Sequence, residues 1–122
     1  MSFKVLIADD EPNILISLEF LMKREGHRVT IARDGDAALA AIRTERPDLV
    51  LLDVMMPGKS GFEVCQAVRG DESLAGLKIL MLSAKGRDTD LAKGSALGAD
   101  AYMTKPFSTR ELADKVREML GA

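Results

Sequence analysis

A chain of 122 residues is long enough for one well-filled core and too short to split into two. Apolar residues make up 47% and charged residues 30%, the balance of a globular domain, which excludes disordered and fibrous classes. Seventeen basic against nineteen acidic residues leave a net charge of −2, and with no tryptophan, one tyrosine and four phenylalanines there is neither an electrostatic grip nor a stacking platform for nucleic acid.

The first predicted strand, Phe3–Ala8, runs straight into three adjacent acids, Asp9, Asp10 and Glu11. Pro12 then suits a first helical turn, where its missing N–H is no loss, and Ile14, Leu18, Leu21 and Met22 recur on one helical face. His27, the only histidine, falls in the turn "EGHR" with no partner in sight. A second strand, Arg28–Ala32, alternates polar with apolar. Asp34 can cap a helix carrying Ala38, Leu39 and Ile42, and the alanine-rich run that follows argues against a hairpin at Asp34–Gly35. The third strand, Leu49–Asp53, is apolar throughout until its last residue. Ser60 and Glu63 have capping-box spacing ahead of Phe62, Cys65 and Val68, with Cys65 on the apolar face and therefore core.

After a turn-rich loop from Gly70, "GDESLAG", comes the fourth strand, Lys78–Ser83. The helix predicted from about Asp88 to Leu97 is poorly built: its apolar stripe is thin and Gly94 interrupts it, which costs about 1 kcal/mol relative to alanine. The fifth strand, Asp100–Thr104, is short and mixed. Ser108 and Glu111 repeat the capping-box spacing before Leu112, Val116, Met119 and Leu120, the cleanest amphipathic stripe in the chain.

Strands alternating with helices predict a parallel sheet with right-handed crossovers. The near-continuous apolar runs "VLIA", "LVLLDV" and "ILMLS" belong at the centre, covered on both faces, and the mixed second and fifth strands belong at the edges. The expectation is a single α/β domain over residues 1–122, a doubly wound, flavodoxin-like three-layer sandwich. It has five helices around a five-stranded sheet of order 2-1-3-4-5.

In such a sheet ligands bind beyond the carboxyl ends of the strands. The residues there are Asp9, Asp10 and Glu11 after the first strand, Asp53 after the third, Ser83 after the fourth and Lys105 after the fifth. Two carboxylates ~4 Å apart repel by ~4 kcal/mol at an effective dielectric of 20, so three of them call for a cation. Oxygen-only ligands suit Mg²⁺, which keeps coordination positions for water and a phosphate oxygen. A metal seat of this kind makes Asp53 a candidate nucleophile toward a phosphoryl donor, with Lys105 and Ser83 supplying charge and a hydrogen bond.

The acid pair after the first strand, "DVMMPGKSG", the hydroxyl–alanine pair Ser83–Ala84 and "GADAYMTKPF" together resemble the receiver domain of two-component response regulators, over essentially the whole chain. The resemblance implies that Asp53 accepts a phosphoryl group from a sensor histidine kinase, a phosphotransfer protein or a small acyl phosphate. It implies Mg²⁺ held by Asp10, Asp53 and the Met55 backbone carbonyl with Asp9 assisting, and Lys105 and Ser83 on the phosphoryl oxygens. It further implies a cis Lys105–Pro106 bond, and Ser83 with Tyr102 as the switch pair. Partners would be the phosphodonor and a downstream protein or effector domain, read through the face of the fourth helix, fifth strand and fifth helix. Neither nucleic acid nor membrane is expected as a direct partner. The resemblance implies catalysis only toward its own Asp53, so an enzyme is not expected.

The sequence departs from the family pattern at several points. Ser83 stands where threonine is commoner, which keeps the hydroxyl. Asp100 is followed by Ala101 where winged-helix regulators carry two acids, which weakens the case for their phosphorylation-dependent dimer. Met55 and Lys85 occupy positions that influence dephosphorylation in the family, and apolar Met55 would give attacking water no hydrogen-bond partner, so a long-lived phosphorylated state is expected. Two rivals share parts of the pattern. A flavin binder needs a hydroxyl- and glycine-rich phosphate loop where this chain has "ADDEP", and a haloacid-dehalogenase-type phosphatase needs an acid two residues past the nucleophile, where this chain has Met55. No apolar run approaches the ~20 residues of a membrane span. "MSFKVLIADD" is unlike a signal peptide, and a lone cysteine fits a reducing compartment, so a cytoplasmic location is expected.

Overall fold

The computed structural model describes residues 2–84 and 88–121. Lys85 lies outside the described residues. The elements are β1 (Lys4–Ala8), α1 (Pro12–Arg24), β2 (Arg28–Ala32), α2 (Gly35–Glu45), β3 (Leu49–Asp53), α3 (Gly61–Arg69), a single 3₁₀ turn at Glu72–Leu74, β4 (Lys78–Ala84), α4 (Asp88–Ala96), β5 (Ala101–Lys105) and α5 (Thr109–Leu120). All five strands are parallel in the order β2-β1-β3-β4-β5. The alternating β2 and the mixed β5 are at the edges and β3, buried at every residue, is at the centre.

Strand alternation sends successive side chains to opposite faces of the sheet, and each face has its own core. Leu6, Val50, Leu52, Ile79 and Met81 pack with α2 and α3 residues such as Leu39, Ile42, Phe62 and Val68. Val5, Ile7, Leu49, Leu51, Leu80 and Leu82 pack with Leu15, Leu18, Leu21 and Met22 of α1 and Leu112 and Val116 of α5. The register aligns the strands' carboxyl ends: Ala8 pairs with Ala32 and Leu52, Asp53 with Leu82, Ser83 with Thr104, and Ala84 with Lys105. Everything beyond those ends therefore emerges on one rim.

Helix starts follow their caps. Asp34 accepts the Ala37 N–H at 2.7 Å, and Ser60 with Glu63 forms the reciprocal capping box. At α5 only half of the device forms: Ser108 accepts the Glu111 N–H at 3.0 Å, with no return bond from Glu111 to the Ser108 backbone. In α1 the buried position is Leu15, with Ile14 half-buried, because the face that meets the sheet is centred one residue later. His27 has partners after all: its Nδ1 accepts the Phe3 N–H at 3.3 Å and its ring lies 5.8 Å from that of Phe3.

The strand β5 begins at Ala101, not Asp100, because the Asp100 side chain, not a backbone carbonyl, takes the N–H of Ile79 on the neighbouring β4. Asp100 Oδ2 accepts that N–H at 2.7 Å and the Arg69 guanidinium at 2.6 Å. Arg69 also donates through Nε to the Gly98 carbonyl at 2.8 Å. The end of α3 thus brackets the turn that joins α4 to β5. Gly94, read from sequence as an interruption of α4, is buried, with Met81 and Phe62 beside the place a Cβ would take. Among the described residues no helix is long and apolar enough to cross a membrane.

Candidate functional site

The rim holds a cleft of about 270 Å³ lined by Asp10, Glu11, Asp53, Met55, Ala84 and Lys105. Asp53 ends β3, and two glycines set the course of the loop after it. The Gly61 N–H bonds to the Val54 carbonyl at 2.9 Å, and a Cβ on Gly61 would overlap the Asp53 carbonyl. Farther out, the Gly35 N–H bonds to the Pro57 carbonyl at 3.2 Å, and a Cβ there would overlap the Lys59 backbone. The loop carrying Met55 is thus wedged between α3 and α2.

Asp9 is fully buried and Asp53 nearly so, while Asp10 is exposed. One carboxylate oxygen from each of the three lies within 4.8 Å of the others, a group able to hold a metal ion. Burial and the adjacent Asp9 charge push the Asp53 carboxyl up to about 7, against the lowering effect of Lys105 and the Met55 N–H. Lys105 reaches in from the end of β5, its Nζ 2.8 Å from Asp9 Oδ2 and 3.4 Å from Asp53 Oδ1. Burial alone would depress the ammonium's pKa, but the Asp9 hydrogen bond and the charges of Asp53 and Asp9 outweigh it and the net shift is upward.

The remaining sequence-derived residues are placed as follows. Ser83 is buried on β4 beside Thr104. Tyr102 is half-buried, paired with Met81, and packs against the α2–α3 core, so it shares the sheet face of Ser83 by strand alternation. The Met55 side chain is 57% exposed at the mouth of the cleft. The Lys105–Pro106 peptide bond is cis. Glu11, one of the three acids but given no role from sequence, also belongs to the site: its Oε1 accepts from Lys105 Nζ at 3.2 Å. Its adjacency to Asp9 and Asp10 was the only signal. Cys65 is core, with Sγ 3.5 Å from the Leu97 carbonyl and its thiol pushed up by burial.

Residues 5–117 match the family model described as the response regulator receiver domain. The chain belongs to the response regulator receiver family. Among similar solved structures, a Chloroflexus aurantiacus J-10-fl protein ascribed to the response regulators is 34% identical, with 100% of each chain covered and a TM-score of 0.94. The Vibrio cholerae chemotaxis response regulator CheY4 is 32% identical over 98% of this chain and 99% of that one, at a TM-score of 0.91. The signal receiver domain of a signal transduction histidine kinase from Syntrophus aciditrophicus is 28% identical over 98% and 90%, at 0.90. The receiver is therefore a domain of two-component signalling, a family that works with histidine kinases and downstream effectors and generally binds Mg²⁺.

Proposed function

We propose that residues 1–122 act as one receiver domain that takes a phosphoryl group onto Asp53 and changes its affinity for a downstream partner as a result. The observation that carries this reading is the convergence of Asp9, Asp10 and Asp53 within 4.8 Å, with the Lys105 ammonium 3.4 Å from the Asp53 carboxylate. An Asp53 oxygen attacks the phosphorus of a kinase's or phosphotransfer protein's phosphohistidine, or of a small acyl phosphate. With phosphohistidine the P–N bond breaks, the imidazole nitrogen keeps the electron pair and water supplies its proton; with an acyl phosphate the bridging P–O bond breaks and a carboxylate leaves with the electron pair.

Asp10, Asp53 and the Met55 carbonyl would hold Mg²⁺, with Asp9 assisting, and the ion supplies positive charge against the crowded carboxylates and the incoming phosphate. Lys105 and Ser83 orient the phosphoryl oxygens. The new group adds about −1.5 to −2 charge and draws Ser83 toward it, which opens space on the sheet face shared with Tyr102. The surface of α4, β5 and α5 then reads the change to an effector. This domain acts chemically only on itself, in the cytoplasm.

The test is acetyl phosphate with Mg²⁺, followed by intact-mass measurement. Wild type gains one phosphoryl group, while Asp53→Asn and wild type in chelator gain none. A modified Asp53→Asn protein would refute the assignment.

A further inference from the structure

Lys105 has three N–H bonds and faces three carboxylates, Asp9 at 2.8 Å, Glu11 at 3.2 Å and Asp53 at 3.4 Å. The three acceptors are not equivalent. Asp9 is fully buried and has no other charge partner among the described residues, and Asp53 is 5% exposed at the floor of the cleft. The Glu11 side chain is 60% exposed and can turn into water with little loss. Its backbone is fixed, because the Glu11 N–H donates to Asp9 Oδ1 at 2.9 Å and its carbonyl accepts the first bond of α1, from Leu15 at 3.1 Å. Any movement at Glu11 is therefore confined to its side chain.

We propose that Glu11 is a positioning residue that parks the Lys105 ammonium before phosphorylation and competes with the incoming phosphoryl group for one of its N–H bonds. The inference rests on the assignment of Asp53 as acceptor. Transfer exchanges the Lys105–Glu11 pair for a Lys105–phosphoryl oxygen pair and turns the Glu11 carboxylate out to solvent at the start of α1. Asp9 keeps its bond throughout, since a fully buried carboxylate cannot give up its cation cheaply. Phosphorylation thus changes the charge displayed at the start of α1 without moving the helix.

The experiment measures the rate of Asp53 phosphorylation by acetyl phosphate at saturating Mg²⁺ in wild type, Glu11→Gln, Lys105→Met and the double variant. Glu11→Gln keeps the shape and removes the charge, and it should react roughly two- to fivefold faster, the factor an exposed ion pair corresponds to. In the Lys105→Met background the same change should have no effect, because competition requires the ammonium, whereas plain repulsion of the anionic donor would persist there. In wild type, the ¹³C carboxyl resonance of Glu11 should shift on phosphorylation even if Lys105→Met does not fold. An unchanged or slower Glu11→Gln protein, a gain that survives in Lys105→Met, or a silent Glu11 resonance would overturn the proposal. Failure of the wild type to take phosphate on Asp53 would instead overturn the function on which it rests.

Discussion

Lys105 and Asp9 stand ninety-six positions apart, yet the ammonium of one donates to the carboxylate of the other at 2.8 Å. The pair closes the rim by tying the end of β5 to the end of β1, two strands that do not touch in the sheet. Because Asp9 is fully buried, Lys105→Ala strands a charge inside the protein and should destabilise it by about 3 kcal/mol. Urea denaturation at neutral pH measures this. In an Asp9→Asn background the loss should shrink, and equal losses in both backgrounds would mean that the pair is not coupled.

The pH dependence follows from Asp53, held at about 7 by burial and by Asp9, against an unfolded value near 3.9. Between ~pH 4 and ~7 the folded protein binds a proton that the unfolded chain has released, so in chelator this group's contribution to stability falls as pH rises. His27, whose pKa is lowered by burial, acts in the opposite direction, so the melting-temperature difference between wild type and Asp53→Asn is the quantity to follow. The difference should move against wild type up to about pH 7 and then level off. Mg²⁺ requires the carboxylate, so its affinity should tighten over the same interval and Asp10→Asn should weaken it.

Gly35→Ala should be disruptive, because a Cβ there overlaps the Lys59 backbone and drives the Met55 loop off its course. A loss of ~1–3 kcal/mol in stability is expected, together with weaker Mg²⁺ binding in the fraction that folds. Gly76→Ala is the control: no atom lies within 4 Å of its Cβ position, so stability should stay within about 0.5 kcal/mol of wild type.

Gly94→Ala should stabilise. The new Cβ would sit 3.6 Å from Met81 Cγ and 3.8 Å from Phe62 Cε1, ordinary contact distances, and alanine is worth up to about 1 kcal/mol over glycine within a helix. A raised melting temperature with unchanged circular dichroism is the expected result, and a lowered one would show that α4 cannot accept the methyl group.

The sheet order was legible because burial on two faces and burial on one leave different apolar patterns, as in "LVLLD" against "RVTIA". The rim residues were legible because parallel strands deliver all their carboxyl ends to one side, so that Asp9, Asp53 and Lys105 follow from strand ends alone. The role of Glu11 was not, since it depends on how far one lysine reaches across two strands, and neither was that of Asp100, whose side chain competes for the strand it was expected to begin. Ser108 and Glu111 have the spacing of a full capping box, but spacing does not oblige an exposed glutamate to fold back. Gly94 looked like a defect because periodicity carries no information about how closely a helix approaches the sheet beneath it.

The bracket that Arg69 forms with Gly98 and Asp100 fastens the far end of α4, the end remote from Ser83 and the rim. A nine-residue helix is a rod about 13 Å long. That bracket gives the rod a fulcrum, so a displacement applied at its other end would become a tilt of the rod rather than a slide along the sheet. A partner lying across such a rod would meet a change of angle, smallest beside Gly98.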